Sequence, residues 1–302
     1  MRTVVQSITS GFGILMELSK IRISQLVAMS TVLGYVMATG ELSWRVIFPT
    51  LGTFLLSCGS AALNQYQERR YDGQMKRTRH RPIPAGRITP AAGLFSALGM
   101  MTLGGIILYL GANPAAFWLG MFNIFWYNGV YTPLKRITPY AIFPGALIGA
   151  IPPAIGWVAG GGGLWEMPLL AISFFFFVWQ VPHYWLLLSN LSEDYQRAGF
   201  PTLTSRYSRK KFAKITFSWI LATSLTTMLI PLFGDPRSVV LIITLFLVAA
   251  WLLWNSRSLL SGIPTPESFR HTFKIINVFM LLVLIALMSA RLLGLHQINL
   301  AL

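Results

Sequence analysis

Acids are scarce in this 302-residue chain: nine Asp and Glu stand against 24 Lys and Arg, a formal charge of +15. Cysteine is scarcer still. Cys58, the only one, excludes an internal disulfide and, set in an apolar run, says nothing of the redox compartment. With four histidines and no Cys-x-x-Cys-His, no glycine-rich phosphate loop and no serine elbow, covalent haem attachment, nucleotide-loop and serine-hydrolase chemistries have no motif to stand on. Charged residues of all kinds make up only 11% of the chain, and the mean hydropathy is +0.60. A soluble domain carries roughly 25%, so the basic excess does not describe a nucleic-acid-binding surface. It fits a polytopic membrane protein whose cations gather on one side.

Apolar stretches of roughly 18–22 residues, long enough to cross a bilayer as helix, recur along the chain. Nine are expected, at about 21–39, 46–66, 91–110, 114–132, 139–158, 167–189, 213–232, 237–254 and 272–293. The first follows Lys20 and Arg22 without a small-residue cleavage site and reads as a retained span. With the N-terminus inside, Arg2, Lys20, Arg22, Arg69 to Arg87, Lys135, Arg136, Arg197 to Lys214, Arg257, Arg270 and Lys274 share one side. Those segments hold 21 of the 24 cations; Arg45, Arg237 and Arg291 fall on the other. The expectation is an all-α, N-in, C-out bundle of nine transmembrane helices. Gly145 and Gly149 form a small-xxx-small pair suited to helix contact, and Pro152-Pro153 are expected to break or kink their span.

The two long inner connections, 67–90 and 190–212, hold four of the nine acids. Asn64-x-x-x-Glu68-x-x-x-Asp72 places three oxygen-bearing side chains on one helical stripe, because each i, i+4 step turns by only about 40°. Asn190-x-x-x-Asp194, with Glu193 adjacent, repeats the pattern 126 residues later and hints at a repeated half. Carboxylates and amide carbonyls are hard ligands, suited to Mg²⁺ shared with a phosphate. The surrounding arginines and lysines match the charge of a departing diphosphate, and the apolar helices behind them suit a lipid tail.

These residues resemble the UbiA-type family of membrane prenyltransferases over about 20–290. The likeness rests on the first acidic stripe followed by Met75-Lys76-Arg77-Thr78-x-x-Arg81-Pro82-Ile83-Pro84-Ala85-Gly86. It continues in Tyr131-Thr132-Pro133-Leu134-Lys135-Arg136, in Gly149 to Trp157, in Trp179-Gln180-Val181-Pro182-His183-Tyr184-Trp185, and in Asp194-Tyr195-x-x-Ala198-Gly199-x-Pro201. Within the family these blocks are most similar to the branch that attaches farnesyl to protohaem IX. Glu68 stands where the family motif has Asp, Arg70 where that branch has a further acid, and Thr202 where it often has Met.

The resemblance implies a single integral-membrane domain over 1–302 and catalysis by Mg²⁺-assisted ionisation of farnesyl diphosphate. Asp72 and Asp194 would be the catalytic acids. Asn64, Glu68, Asp72, Asn190, Glu193 and Asp194 would hold metal. Lys76, Arg77, Arg81, Lys135 and Arg136 would face the diphosphate, and Tyr131, Trp179 and His183 the prenyl chain or acceptor. Protohaem IX would be a substrate and haem O the product, passed to a downstream haem A synthase or terminal oxidase assembly. The bacterial inner membrane is expected rather than the mitochondrial one. The residues alone leave open prenylation of a quinone precursor or other aromatic acceptor, and a non-catalytic haem-binding or transport role.

Overall fold

The computed structural model describes residues 11–234 and 238–294. Arg2, Arg237, His296 and the expected start of the eighth span lie outside them. The described residues are helical throughout, with no strand. The long helices are α1 (Ile21–Thr39), α2 (Ile47–Asp72), α3 (Pro90–Gly111), α4 (Pro114–Ile124), α5 (Ile142–Ala159) and α6 (Met167–Ser189). Two short helices, α7 (Ser192–Arg197) and α8 (Leu203–Arg206), cross the second long connection. The chain then continues with α9 (Arg209–Thr227), α10 (Leu229–Phe233), α11 (Val239–Ser256) and α12 (Pro266–Leu292).

Among the described residues eight helices are long and apolar enough to cross a membrane. The fourth expected span, 114–132, differs in kind. α4 runs without a break into a π-helical stretch, Phe125–Tyr131, and a last turn, Thr132–Leu134. The wider turn re-aims the side chains that follow it, which is why such insertions gather at functional sites. Helix starts follow local chemistry: Thr89, Asn113 and Thr265 each cap a helix whose first residue is proline. Outward faces carry large apolar side chains such as Phe95, Leu110, Trp118 and Phe246. Such surface is stable only against lipid, and the chain is an integral membrane protein.

α5 is the central element, packed against α1, α4 and α6. It is not broken at Pro152-Pro153; one helix runs through both, each fully enclosed by neighbours. Neighbouring helices compensate a proline in this way within membranes. The close crossing uses different glycines from those the small-residue pair suggests. A methyl group added to Gly34 of α1 would fall on the carbonyl of Pro153, and one added to Gly156 on that of Thr31. Gly145 and Gly149 instead make room for the Tyr131 ring and the Gln180 amide. Gly156→Ala is therefore expected to lower stability by about 1–3 kcal/mol, the usual cost of overpacking. Thermal unfolding in detergent checks this; an unchanged midpoint would show that the crossing tolerates a side chain.

Candidate active site

The first long connection begins later than the hydropathy suggests. α2 continues to Asp72, so Asn64, Glu68 and Asp72 lie on its last turns rather than in a loop, 1%, 5% and 1% exposed. Their stripe faces the π-helical segment, and a ladder of side-chain contacts at a nearly constant offset in sequence joins the two. Ser60 Oγ donates to Asn128 Oδ1 at 2.6 Å, and Asn64 Nδ2 to Thr132 Oγ1 at 3.1 Å. Asn128 Nδ2 also reaches Gln67 Oε1 at 3.2 Å. Toward the C-terminal end of α2, Lys135 Nζ binds Glu68 Oε2 at 2.8 Å, and Arg136 Nη2 donates to the Gln67 carbonyl at 3.0 Å.

Asp72 is held from the other side. Arg81 Nη1 lies 2.8 Å from both of its oxygens. Lys20 joins this cluster: the charges that act on it are those of Arg81, Lys135, Glu68 and Asp72. It is the only described non-glycine residue with positive φ, at φ 46° and ψ 50°. Gln65 pins the turn preceding it by donating to the carbonyls of Glu17 and Leu18 at 3.1 and 2.8 Å. Burial, reinforced by the two cations, draws the Lys20 ammonium down to about 7, with the two acids opposing. Burial also lowers Lys135, against the pull of Glu68. Two acids and three cations thus share a poorly solvated pocket where charge interactions are strong.

The two long connections meet above it. Asp194 Oδ2 accepts the Arg77 backbone N–H at 3.1 Å, and Met75 packs with Ala198 and Phe200. Tyr195 packs against the same group, its hydroxyl pKa raised by burial. Tyr131 stacks on Tyr127 with ring centroids 5.7 Å apart, and Lys135 Nζ is 5.4 Å from the Tyr131 centroid.

Not all of the expected residues converge here. Asn64, Glu68, Asp72, Arg81, Lys135 and Tyr131 do, and Arg136 lies beside them over the Tyr71 ring. Asp194 stands at the edge. Asn190 and Glu193 open instead onto a second cavity, which Lys76 also lines. Asn190 is bonded to the Leu186 carbonyl, and Glu193 is 87% exposed beside Arg197. The 126-residue repeat is not a structural one, since the first stripe is a continuous helix and the second straddles a helix end. Trp179 and His183 face α12: Trp179 Nε1 donates to the Ile276 carbonyl at 3.1 Å, and the His183 ring stacks on Trp179 at 4.6 Å.

Lys20, Ser60, Gln67, Asn128 and Thr132 join the site although no sequence motif assigns them to it. The trace they leave in the sequence is the near-constant offset between two polar stripes.

Among the described residues no three of His, Cys, Asp and Glu converge as a metal group. The stripe nevertheless fits a hard divalent cation. Its donors are all oxygen, and Glu68 Oε1 is buried without a hydrogen-bond partner. A membrane-embedded helical bundle with buried acids and cations beneath two closing connections has the parts of an enzyme handling a phosphorylated lipid. The chain belongs to the UbiA prenyltransferase family, whose family model matches residues 27–278.

Relatives and solved structures agree. The chain is 34% identical over 270 residues to a protoheme IX farnesyltransferase of Geobacter sulfurreducens, covering 88% of this chain and 95% of that one. It is 41% identical over 189 residues to the mitochondrial protoheme IX farnesyltransferase of Homo sapiens, 62% of this chain and 42% of the human one. A digeranylgeranylglyceryl phosphate synthase shares the fold with a TM-score of 0.75 at 16% identity, over 93% of this chain and 98% of that one. A UbiA homologue from Archaeoglobus fulgidus bound to GPP and Mg²⁺ does so with a TM-score of 0.71 at 15% identity, over 92% and 99%.

Proposed function

We propose that this chain, as one integral-membrane domain, transfers the farnesyl group of farnesyl diphosphate to a vinyl group of protohaem IX, giving haem O. The observation that carries the reading is the buried Glu68–Asp72 stripe clamped by Lys135 and Arg81 at one end of an apolar bundle. Asn64, Glu68 and Asp72 hold Mg²⁺, with Asp194 facing them from the second connection. Bound there, the metal supplies Lewis-acid neutralisation of diphosphate charge.

Lys135, Arg81 and Lys20 take the diphosphate oxygens as charge builds on them, with Arg77 and Arg136 nearer the rim. Because these groups are positioned beforehand, the departing diphosphate needs little solvent reorganisation. The farnesyl C1–O bond breaks, the vinyl carbon attacks C1, and water adds to the resulting cation. One proton and one diphosphate leave. Tyr127 and Tyr131 present ring faces that stabilise the allylic cation. The Trp179–His183 seam borders the acceptor. The likeness to bacterial relatives and the one-sided cations support the bacterial inner membrane, with the N-terminus cytoplasmic, and a haem O consumer such as haem A synthase downstream.

Purified protein given farnesyl diphosphate, protohaem and Mg²⁺ should yield haem O by chromatography and mass spectrometry. Farnesylation of 4-hydroxybenzoate or a naphthoate in preference to protohaem would transfer the reading to a quinone precursor. No Mg²⁺-dependent product from any acceptor would reject it.

A further inference from the structure

The second cavity lies outside the acidic stripe and has a composition of its own. It encloses about 780 Å³ at the inner face, between the α6–α7 junction, the start of α9 and the start of α12. Four cations from four separate segments line it: Lys76, Arg197, Arg209 and Arg270. Its two acids, Glu193 and Asp194, lie 3.7 and 3.8 Å from Arg197, so four cations stand against two acids. Lys76, Arg209 and Arg270 have no ion pair of that length among the described residues. The cavity therefore keeps a positive surplus, supplied largely by arginines, which bind carboxylates through two parallel hydrogen bonds.

One wall is apolar. Phe212 and Phe269 form it, with ring centroids 5.7 Å apart. One turn further along α12, Phe273 lies 5.3 Å from the His183 ring, which stacks on Trp179. A cationic rim thus passes into an aromatic seam directed into the bundle. A free inorganic anion has no use for that wall, and the diphosphate has its own cations around Glu68 and Asp72. The combination matches a flat apolar body with carboxylates on one edge. In protohaem IX the two propionates occupy the edge opposite the vinyl groups, so holding the propionates at the rim turns the vinyl edge inward.

We propose that this cavity binds the two propionate carboxylates of the porphyrin acceptor, with Arg209 and Arg270 as their partners. The inference rests on the acceptor assigned above. The test uses full-length protein in detergent, wild type and Arg209→Gln/Arg270→Gln, with protohaem IX and its dimethyl ester as probes. Both arginines are exposed, so folding is undisturbed, and the double lysine variant should recover part of any loss. Binding is read by haem absorbance, and KM separately for each substrate.

Wild type should bind protohaem at least roughly 10-fold more tightly than the diester, the worth of a charged hydrogen bond. The double variant should lose that preference, with the KM for protohaem raised and that for farnesyl diphosphate unchanged. An undiminished preference in the variant, equal wild-type binding of diester and acid, or a raised KM for farnesyl diphosphate alone would overturn the cavity assignment while leaving haem O synthesis intact. Wild type that neither binds nor farnesylates protohaem would overturn the acceptor reading and this inference together.

Discussion

Asp72→Asn protein is expected to fold and to lose farnesyl transfer by at least about 10²–10³-fold, on the order of 3–4 kcal/mol of transition-state stabilisation. Asn is close to isosteric with Asp and keeps one carbonyl oxygen for Arg81, which lies 2.8 Å from both carboxylate oxygens in the native site. What is lost is a full negative charge on a residue only 1% exposed, where water cannot replace it. The loss should therefore fall on the chemical step and on the Mg²⁺ dependence, with the chromatographic profile in detergent little changed. Asp194→Asn should act in the same direction. Product formation titrated against Mg²⁺, beside a thermal melt, measures both effects. A wild-type rate for Asp72→Asn at the same Mg²⁺ concentration would remove Asp72 from the site.

Lys135→Met is expected to cost about 3–5 kcal/mol of stability, because it leaves Glu68 buried without its partner. The pair is well enclosed, with side chains 15% and 7% exposed and 2.8 Å apart. Glu68→Gln should cost less. Burial already lowers the Lys135 pKa against the pull of Glu68, so without that acid the lysine can shed its proton. The double variant Glu68→Gln/Lys135→Met should regain most of the stability and none of the activity. Unfolding midpoints for the four proteins, beside their turnover, separate the two roles. A double variant no more stable than Lys135→Met would show that the stranded charge was not the cause.

Much of the architecture is legible along the chain because hydropathy is a local property. Each bilayer crossing needs its own apolar run, and the positions of the spans emerge from the sequence with boundaries displaced by a few residues. The displacement at α2 has a clear cause. Glu68 and Asp72 lower the hydropathy there, but Lys135 and Arg81 neutralise them, so the helix extends to Asp72. The π-helical turn in the fourth span is invisible to hydropathy, since Phe125–Tyr131 is as apolar as a plain α-helix would be.

The acidic stripe was also legible, because an i, i+4, i+8 spacing fixes a shared face whatever the helix packs against. Its partners were not. Lys135 follows Glu68 by 67 residues and Asn128 follows Ser60 by 68, separations at which only helix packing brings side chains together. Lys20 reads in sequence as one more inner-face cation; the left-handed turn at that residue brings it into the cluster.

By itself, then, the sequence determined the class of protein, the shared face of the first acidic stripe and the family. These depend on composition and on short, regular spacings. Only the tertiary structure decided which cations clamp which acids, that Asn190 and Glu193 open onto a separate basic cavity, and that Trp179 and His183 face α12. A helix fixes which residues share a face, but its rotation about its own axis is set by all its neighbours at once, and that is a property of the packed bundle.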